Sequence, residues 1–220
     1  MSESFTTVPF PEMLGRFSSK EPIPGGGSAS AIAGALAAAL GEMVGALTLG
    51  KKGYESHQGE IETLRAEARV LTRRLLAAAE EDAEAYQGVM AAMGLPKDTD
   101  QAKATRREAM QSAFIGATEP PLQAARTCLA VGRLGLRMLI IGNRNASSDA
   151  AVATLLAIAG GEGSLLNVAI NLSSIQDADL TARLRAEAEG IWAGLSNLRR
   201  DMWTAAHHAG LEGPPAEVRA

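Results

Sequence analysis

Residues 28 to 49 constrain the fold more than any other stretch, because 22 consecutive positions carry a single charge, Glu42. The stretch is long enough to cross a membrane, but alanine and glycine supply most of it. Small residues recur at four-residue spacing, as in Ser30, Gly34 and Ala38, and this spacing lets a neighbouring helix backbone approach closely. We interpret the stretch as the buried central helix of a soluble bundle, with no membrane partner.

Both ends of this predicted helix carry candidate ligand-binding residues. Ser28 is a predicted N-cap, and the helix is expected to end near Gly50. Before the helix, a loop of three glycines would let the backbone approach a ligand closely, and the first amides of the helix would be available behind this loop. The loop consists of Gly25, Gly26 and Gly27. After the helix, Lys51 and Lys52 complement its C-terminal dipole and could hold a carboxylate or phosphate tail. GGGSAS lacks the lysine of a Walker loop.

Helical periodicity continues through the rest of the chain, and no strand period persists. The predicted helices span 9–17, 54–93, 101–117, 121–141, 149–159, 164–175 and 177–209. TEPP is expected to begin a new helix with Pro121 in its first turn, and GGEG to interrupt another. The sequence predicts an all-α, up-and-down bundle with one long helix. It forms a single domain over 1–220, with a core at about 10–209.

Composition excludes several classes of protein. The formal charge is −4 and no segment has a basic stripe, so we expect no nucleic-acid partner. The single cysteine, Cys128, excludes an intramolecular disulfide and fits a cytoplasmic location. The N-terminus lacks the pattern of a signal peptide. No zinc-ligand spacing appears, so no metal is expected.

Asp82 is the most informative candidate for chemistry. It falls on the apolar stripe of the long predicted helix, between Ala78 and Tyr86. A carboxylate on a buried face must be paired or protonated, because its desolvation costs several kcal/mol. Spacing alone favours a buried ion pair with Arg126 or Arg133. The alternative is a general acid or base whose pKa is raised by burial.

Asp149 also has two interpretations. Capping by Ser147 or Ser148 would place it in a first helical turn, where the dipole favours an acid, and this is the preferred interpretation. The functional alternative places it at the mouth of a pocket, beside polar side chains that include Asn145.

A polar stripe without charges follows, at Ser164, Asn167, Asn171 and Ser174. The stripe could bind a neutral heterocycle through hydrogen bonds, or it could form hydrogen bonds to a neighbouring helix, and the sequence favours neither interpretation.

Three segments together resemble a known family. They are SSKEPIPGGGSASAIAGALAAALGEMVGALTLGKKGY, DAEAYQGVMAAMGLPKDTD and GNRNASSDAAVATLLAIAGGEGSLLNVAINL. Their order and intervals are similar to those of formimidoyltetrahydrofolate cyclodeaminases and bacterial methenyltetrahydrofolate cyclohydrolases, over roughly residues 10 to 205. The chain has PIPGGGS where the family usually has PTPGGGS, GKKGY where it has GKKKY, and SDAAVA where SDAGVA is frequent.

The resemblance implies a helical homodimer that binds folate near its subunit interface. It favours a functional role for Asp82 and Asp149, which lie in the matched segments. The chemistry of the reaction makes Asp82 or Asp149 the acid/base candidate, and it suggests that Asn145, Asn167 and Asn171 position the pterin. The expected activity is hydrolysis of 5,10-methenyltetrahydrofolate, with no cofactor beyond the tetrahydrofolate substrate. A cyclodeaminase that releases ammonia is the first alternative, and a non-catalytic helical interaction protein is the second.

Overall fold

The computed structural model describes residues 4–213, and every regular element in that range is helical. Six α-helices follow one another: α1 (Phe10–Phe17), α2 (Gly26–Ala46), α3 (Gln58–Met93), α4 (Asp100–Ile141), α5 (Ser147–Leu172) and α6 (Ala178–His208). Three-residue 3₁₀ turns precede α1, α3 and α5. The prediction of an all-α fold is therefore confirmed.

Helix α2 lies at the centre of the bundle, in contact with α3, α4 and α5. Its small residues explain how it can touch three neighbours. A Cβ atom built on Gly34 would lie 2.5 Å from Cys128 Sγ on α4 and 3.2 Å from Leu75 on α3. Helices α2 and α5 run antiparallel, because Gly26 lies beside Asn167 while Gly34 lies beside Gly160. The small-residue spacing thus serves close helix packing.

The predicted break at TEPP is wrong, since α4 continues through Pro120 and Pro121 without interruption. Each proline removes one backbone N–H and therefore frees one carbonyl on the preceding turn. One freed group, the carbonyl of Ala117, accepts a hydrogen bond from Asn171 of α5 at 2.7 Å. A tertiary contact therefore satisfies a carbonyl that an isolated helix would leave without a partner.

The predicted break at GGEG is also wrong, because α5 is continuous from Ser147 to Leu172. A Cβ atom on Gly160 would lie 2.7 Å from the Ser30 carbonyl oxygen and 3.0 Å from the Gly34 nitrogen. Glycine is required here by the close approach of α2. The intrinsic cost of glycine inside a helix, about 1 kcal/mol relative to alanine, is offset by this packing.

Two cap assignments also change. Ser28 lies within α2, whose N-cap is Gly25, and Ser147 is the first residue of α5, whose N-cap is Ala146. Neither cap residue makes a side-chain capping hydrogen bond. Thr99, in contrast, caps α4 with its side chain, which accepts a hydrogen bond from the Ala102 amide at 3.1 Å.

Two segments are long and apolar enough to cross a membrane, Gly26–Ala46 and Arg144–Leu172. Within the bundle, 44% of the most apolar part of the first segment and 50% of that of the second segment are buried. Both helices contribute to the protein core, and each also keeps an apolar face at the surface.

Candidate functional site

The carboxylate of Asp82 lies against the N-terminus of α2. Ser28 connects the two helices, because its hydroxyl is 2.9 Å from the Ala79 carbonyl and 3.0 Å from Asp82 Oδ2. A Cβ atom on Gly27 would lie only 2.6 Å from Asp82 Cγ and Oδ2. The glycine at this position therefore leaves the space that the carboxylate occupies, and Ser28 holds that carboxylate as a hydrogen-bond donor rather than capping α2.

Burial raises the pKa of the Asp82 carboxyl, while hydrogen bonds from the Ser28 side chain and backbone oppose that rise. The predicted ion pair with an arginine is wrong. Arg126 instead pairs with Glu187 and Glu119, and Arg133 is exposed. Among residues 4–213, Asp82 takes part in no salt bridge, so its charge remains available to a ligand.

A cavity of about 380 Å³ opens beside this carboxylate, within the size range of small-molecule sites. Six of the candidate site residues predicted from the sequence line it: Asp82, Gly25, Gly26, Gly27, Asn167 and Asn171. The remaining wall is mainly apolar, with side chains that include Ile23, Tyr86, Met90 and Phe114. Such a cavity can hold a flat, partly apolar ring, with the Asp82 carboxylate of the protein at one side of that ring.

Sequence reasoning missed most of this apolar wall. The periodicity places Tyr86 on the apolar stripe of the long helix, yet Tyr86 is 40% exposed and lines the cavity. Phe114 lies on α4. It reaches the cavity in a helix that continues through Pro120 and Pro121, where the sequence predicted a break. The signal available in the sequence was that Tyr86 is one turn from Asp82, in the DAEAY segment.

The remaining predicted residues lie at the opposite end of the bundle. Asp149 is in the first turn of α5, as expected, eighteen residues before Asn167, so about 27 Å of helix separates them. Asn145 is exposed in the 3₁₀ turn before α5. Lys51 and Lys52 are exposed in the turn after α2. Within one chain, therefore, the two candidate acids do not share a cavity.

The GKKGY variation has a structural explanation. Gly53 adopts φ of +92°, a conformation that side chains with a Cβ rarely adopt. Its amide donates to Glu55 at 2.9 and 3.0 Å, which closes the turn. In this chain the third position of the lysine cluster serves the backbone turn.

A larger open groove, of about 720 Å³, lies at the Asp149 end of the bundle. Its walls are mainly from α4 and α6, with Arg144 and Ser147 at one side. Neither candidate aspartate lines it, so its size alone does not make it the better candidate site. Across residues 4–213, no three His, Cys, Asp or Glu side chains cluster to hold a metal ion.

Comparison with known proteins identifies what this arrangement resembles. The sequence model described as formiminotransferase-cyclodeaminase matches residues 9–190. A methenyltetrahydrofolate cyclohydrolase from Methylorubrum extorquens is 40% identical over 180 residues, which cover 82% of this chain and 86% of the relative. A formimidoyltransferase-cyclodeaminase from Sus scrofa is 30% identical over 183 residues. That match covers 83% of this chain but only 34% of the longer relative.

The fold is similar to a solved structure as well. The crystal structure of formiminotetrahydrofolate cyclodeaminase from Thermotoga maritima matches with a TM-score of 0.84 and 27% identity. The match covers 92% of this chain and 98% of that one. Sequence and structure agree, and the resemblance of the three segments is confirmed: the chain belongs to the formiminotransferase-cyclodeaminase family.

Proposed function

We propose that this protein is a methenyltetrahydrofolate cyclohydrolase, which hydrolyses 5,10-methenyltetrahydrofolate to 10-formyltetrahydrofolate. The observation that carries the proposal is the Asp82 carboxylate, free of any ion pair within residues 4–213, at the edge of a partly apolar cavity. The 40% identity to a cyclohydrolase of similar length supports it. No cofactor beyond the folate substrate is proposed.

The chemistry follows from the charge of the substrate. The methenyl carbon bridges N5 and N10 and carries a delocalised positive charge, which a nearby carboxylate stabilises. Water attacks this carbon while Asp82 accepts one of its protons. The resulting tetrahedral carbon then loses its bond to N5, which takes up a proton, and the formyl group remains on N10. Ser28 holds the Asp82 carboxylate in position through its hydroxyl.

A cyclodeaminase is the second candidate, and the Thermotoga maritima structure favours it. In that reaction N10 attacks a formimino carbon on N5, and a general acid protonates the departing ammonia. The carboxyl of Asp82, with its pKa raised by burial, could supply that proton. The same cavity would serve either reaction, since both pass through a tetrahedral carbon between N5 and N10.

Parallel assays of the purified protein separate these functions. Loss of methenyltetrahydrofolate absorbance above the uncatalysed rate, without ammonia release from formiminotetrahydrofolate, would support the cyclohydrolase. Ammonia release would support the cyclodeaminase. If folates do not bind, the protein is the non-catalytic helical interaction protein that the sequence also allowed.

The proposal includes a homodimer formed through the apolar surfaces of α2 and α5. The exposed fractions are 53% for Leu36, 64% for Leu166 and 68% for Ile170, and α2 contains one charged residue, Glu42. A twofold axis that lies in this surface and runs perpendicular to α2 and α5 would bring the Asp149 end of one subunit toward the Asp82 end of the other. Asp149, Asn145, Lys51 and Lys52 would then join the site, with the lysines near the glutamate tail.

Two variants test the acid/base assignment. Asp82→Asn is expected to lower kcat by about 10²–10⁴-fold, the usual contribution of a general acid or base. Asp149→Asn tests whether the partner subunit contributes a second carboxylate. Normal turnover by both folded variants would contradict the assignment.

A further inference from the structure

The side-chain amide of Asn171 has a fixed orientation. Its Nδ2 donates to the carbonyl oxygen of Ala117 at 2.7 Å, and Ala117 is buried. That carbonyl is free because Pro121, four residues later, has no N–H to complete the helical hydrogen bond. With the amide turned over, Oδ1 would face another carbonyl oxygen and repel it. The proline therefore determines which atom of Asn171 is available to a ligand.

Asn167 shows the same use of its amide group one turn earlier. Its Nδ2 donates to the Gly163 carbonyl at 2.9 Å. In both residues one N–H of the amino group is bonded to a backbone carbonyl, which turns Oδ1 away from that carbonyl and makes it the acceptor that each residue offers to the cavity they line. Asp82 also lines this cavity and accepts hydrogen bonds when ionised. The two asparagines, both on α5, thus supply hydrogen-bond acceptors along one wall of the cavity.

We infer that Pro121 is a positioning residue that holds Asn171 as a hydrogen-bond acceptor for the N–H groups of the substrate heterocycle. The inference rests on the proposed folate activity, because the pyrimidine half of a tetrahydropterin carries ring N–H and amino donors. Acceptors along one wall would bind that donor edge and so determine which way the ring enters the cavity. The role of Pro121 is indirect, through Ala117 and Asn171.

The variant Pro121→Ala tests this role. Alanine restores a backbone N–H, which would compete for the Ala117 carbonyl and weaken the hydrogen bond that orients the Asn171 amide. We expect KM for methenyltetrahydrofolate to rise by about threefold to tenfold, the effect of one hydrogen bond. We expect kcat to change by less than about twofold, since Asp82 is untouched; a purely structural defect would instead lower the active fraction and leave KM unchanged.

The adjacent proline supplies a matched control. Pro120→Ala makes the same change one residue earlier, where the freed carbonyl belongs to Gly116, an exposed residue that water can hydrate. We expect its KM to equal that of the wild type. A double-mutant cycle adds specificity: once Asn171→Leu has removed the acceptor, Pro121→Ala should change KM no further.

The outcomes separate this inference from the proposed activity. Wild-type turnover with equal KM in the two proline variants would overturn the role of Pro121 and leave the activity intact. Absence of any folate turnover or binding by the wild type would overturn both. Should Pro121→Ala fail to fold, Asn171→Leu still decides the acceptor role, because an unchanged KM in that variant would contradict it.

Discussion

At the scale of single residues, Asp82 and Gly27 form one unit. The carboxylate occupies the space where any other residue at position 27 would carry its Cβ, and Ser28 donates a hydrogen bond to it. Burial favours the neutral acid, whereas the donors favour the ionised form. Because these opposing effects leave the pKa of Asp82 above that of a solvated aspartate, its carboxylate is a better proton acceptor than a solvated one.

The raised pKa of Asp82 predicts opposite pH effects on activity and stability. If the ionised form is the base, kcat/KM should rise with pH through a pKa above the ordinary aspartate value. Because that pKa is raised in the folded state, the associated stability is present at acid pH and is lost as pH rises through the folded pKa. Asp82→Asn should therefore have a higher Tm than the wild type at neutral pH. Thermal melts at pH 4 and pH 7 would show the difference shrinking at the lower pH.

Gly27→Ala is predicted to disturb the site directly. The new Cβ would force the Asp82 carboxylate aside, and a displacement of about 1 Å can cost about 10²-fold in rate. Overpacking should also lower the free energy of unfolding by about 1–3 kcal/mol. The control is Gly88→Ala on α3, where nothing lies within 4 Å of the added Cβ. Similar kcat values for the two variants would contradict the steric account.

At the scale of elements, α4 and α5 are longer than local sequence rules allow. Two adjacent prolines and a GGEG segment normally end helices, yet here a neighbouring helix compensates in each case. Asn171 satisfies a carbonyl that Pro121 frees, and α2 packs against Gly160. The first compensation joins α5 to α4 and the second joins α5 to α2, so Asn167 and Asn171 of α5 line the same cavity as Phe114 of α4.

Gly160→Ala is predicted to be among the more destabilising small substitutions in the chain. Its Cβ would meet backbone atoms of α2 at 2.7 and 3.0 Å, which cannot move as a flexible side chain can. We expect the free energy of unfolding to fall by about 1–3 kcal/mol, measured by urea denaturation. Gly190→Ala on α6 has nothing within 4 Å and should be stabilising by up to about 1 kcal/mol. Equal effects would show that the α2–α5 contact is looser than described.

At the scale of the whole molecule, the bundle leaves an apolar surface uncovered. The two most apolar helices, α2 and α5, are each only about half buried, and their exposed side chains include Leu36, Leu166 and Ile170. Exposed apolar side chains grouped on one surface are typical of interaction sites. The homodimer proposal uses it, and it also offers a way to unite the two groups of candidate residues.

Leu36→Glu is predicted to separate the subunits. Burying an unpaired carboxylate in an apolar interface costs several kcal/mol, so the variant should sediment as a monomer under conditions where the wild type is a dimer. Its activity should fall together with the dimer fraction if both subunits form the site. Val70→Glu, at an exposed position of α3, is the control. A monomeric wild type with full activity would refute the shared site.

The sequence by itself determined the helical class, most helix positions and the placement of Asp82 among inward-facing residues, because hydrophobic periodicity and an acid on an apolar stripe are local features. It also determined the family, through three ordered segments. Tertiary structure decided the rest: whether Pro121 and Gly160 end their helices, and that Asp82 lies against α2 rather than beside an arginine. It also placed Asp149 at the far end of the bundle. These outcomes depend on which side chain of a neighbouring helix satisfies a freed carbonyl and which neighbouring backbone fills the space beside a glycine, and no single segment encodes that.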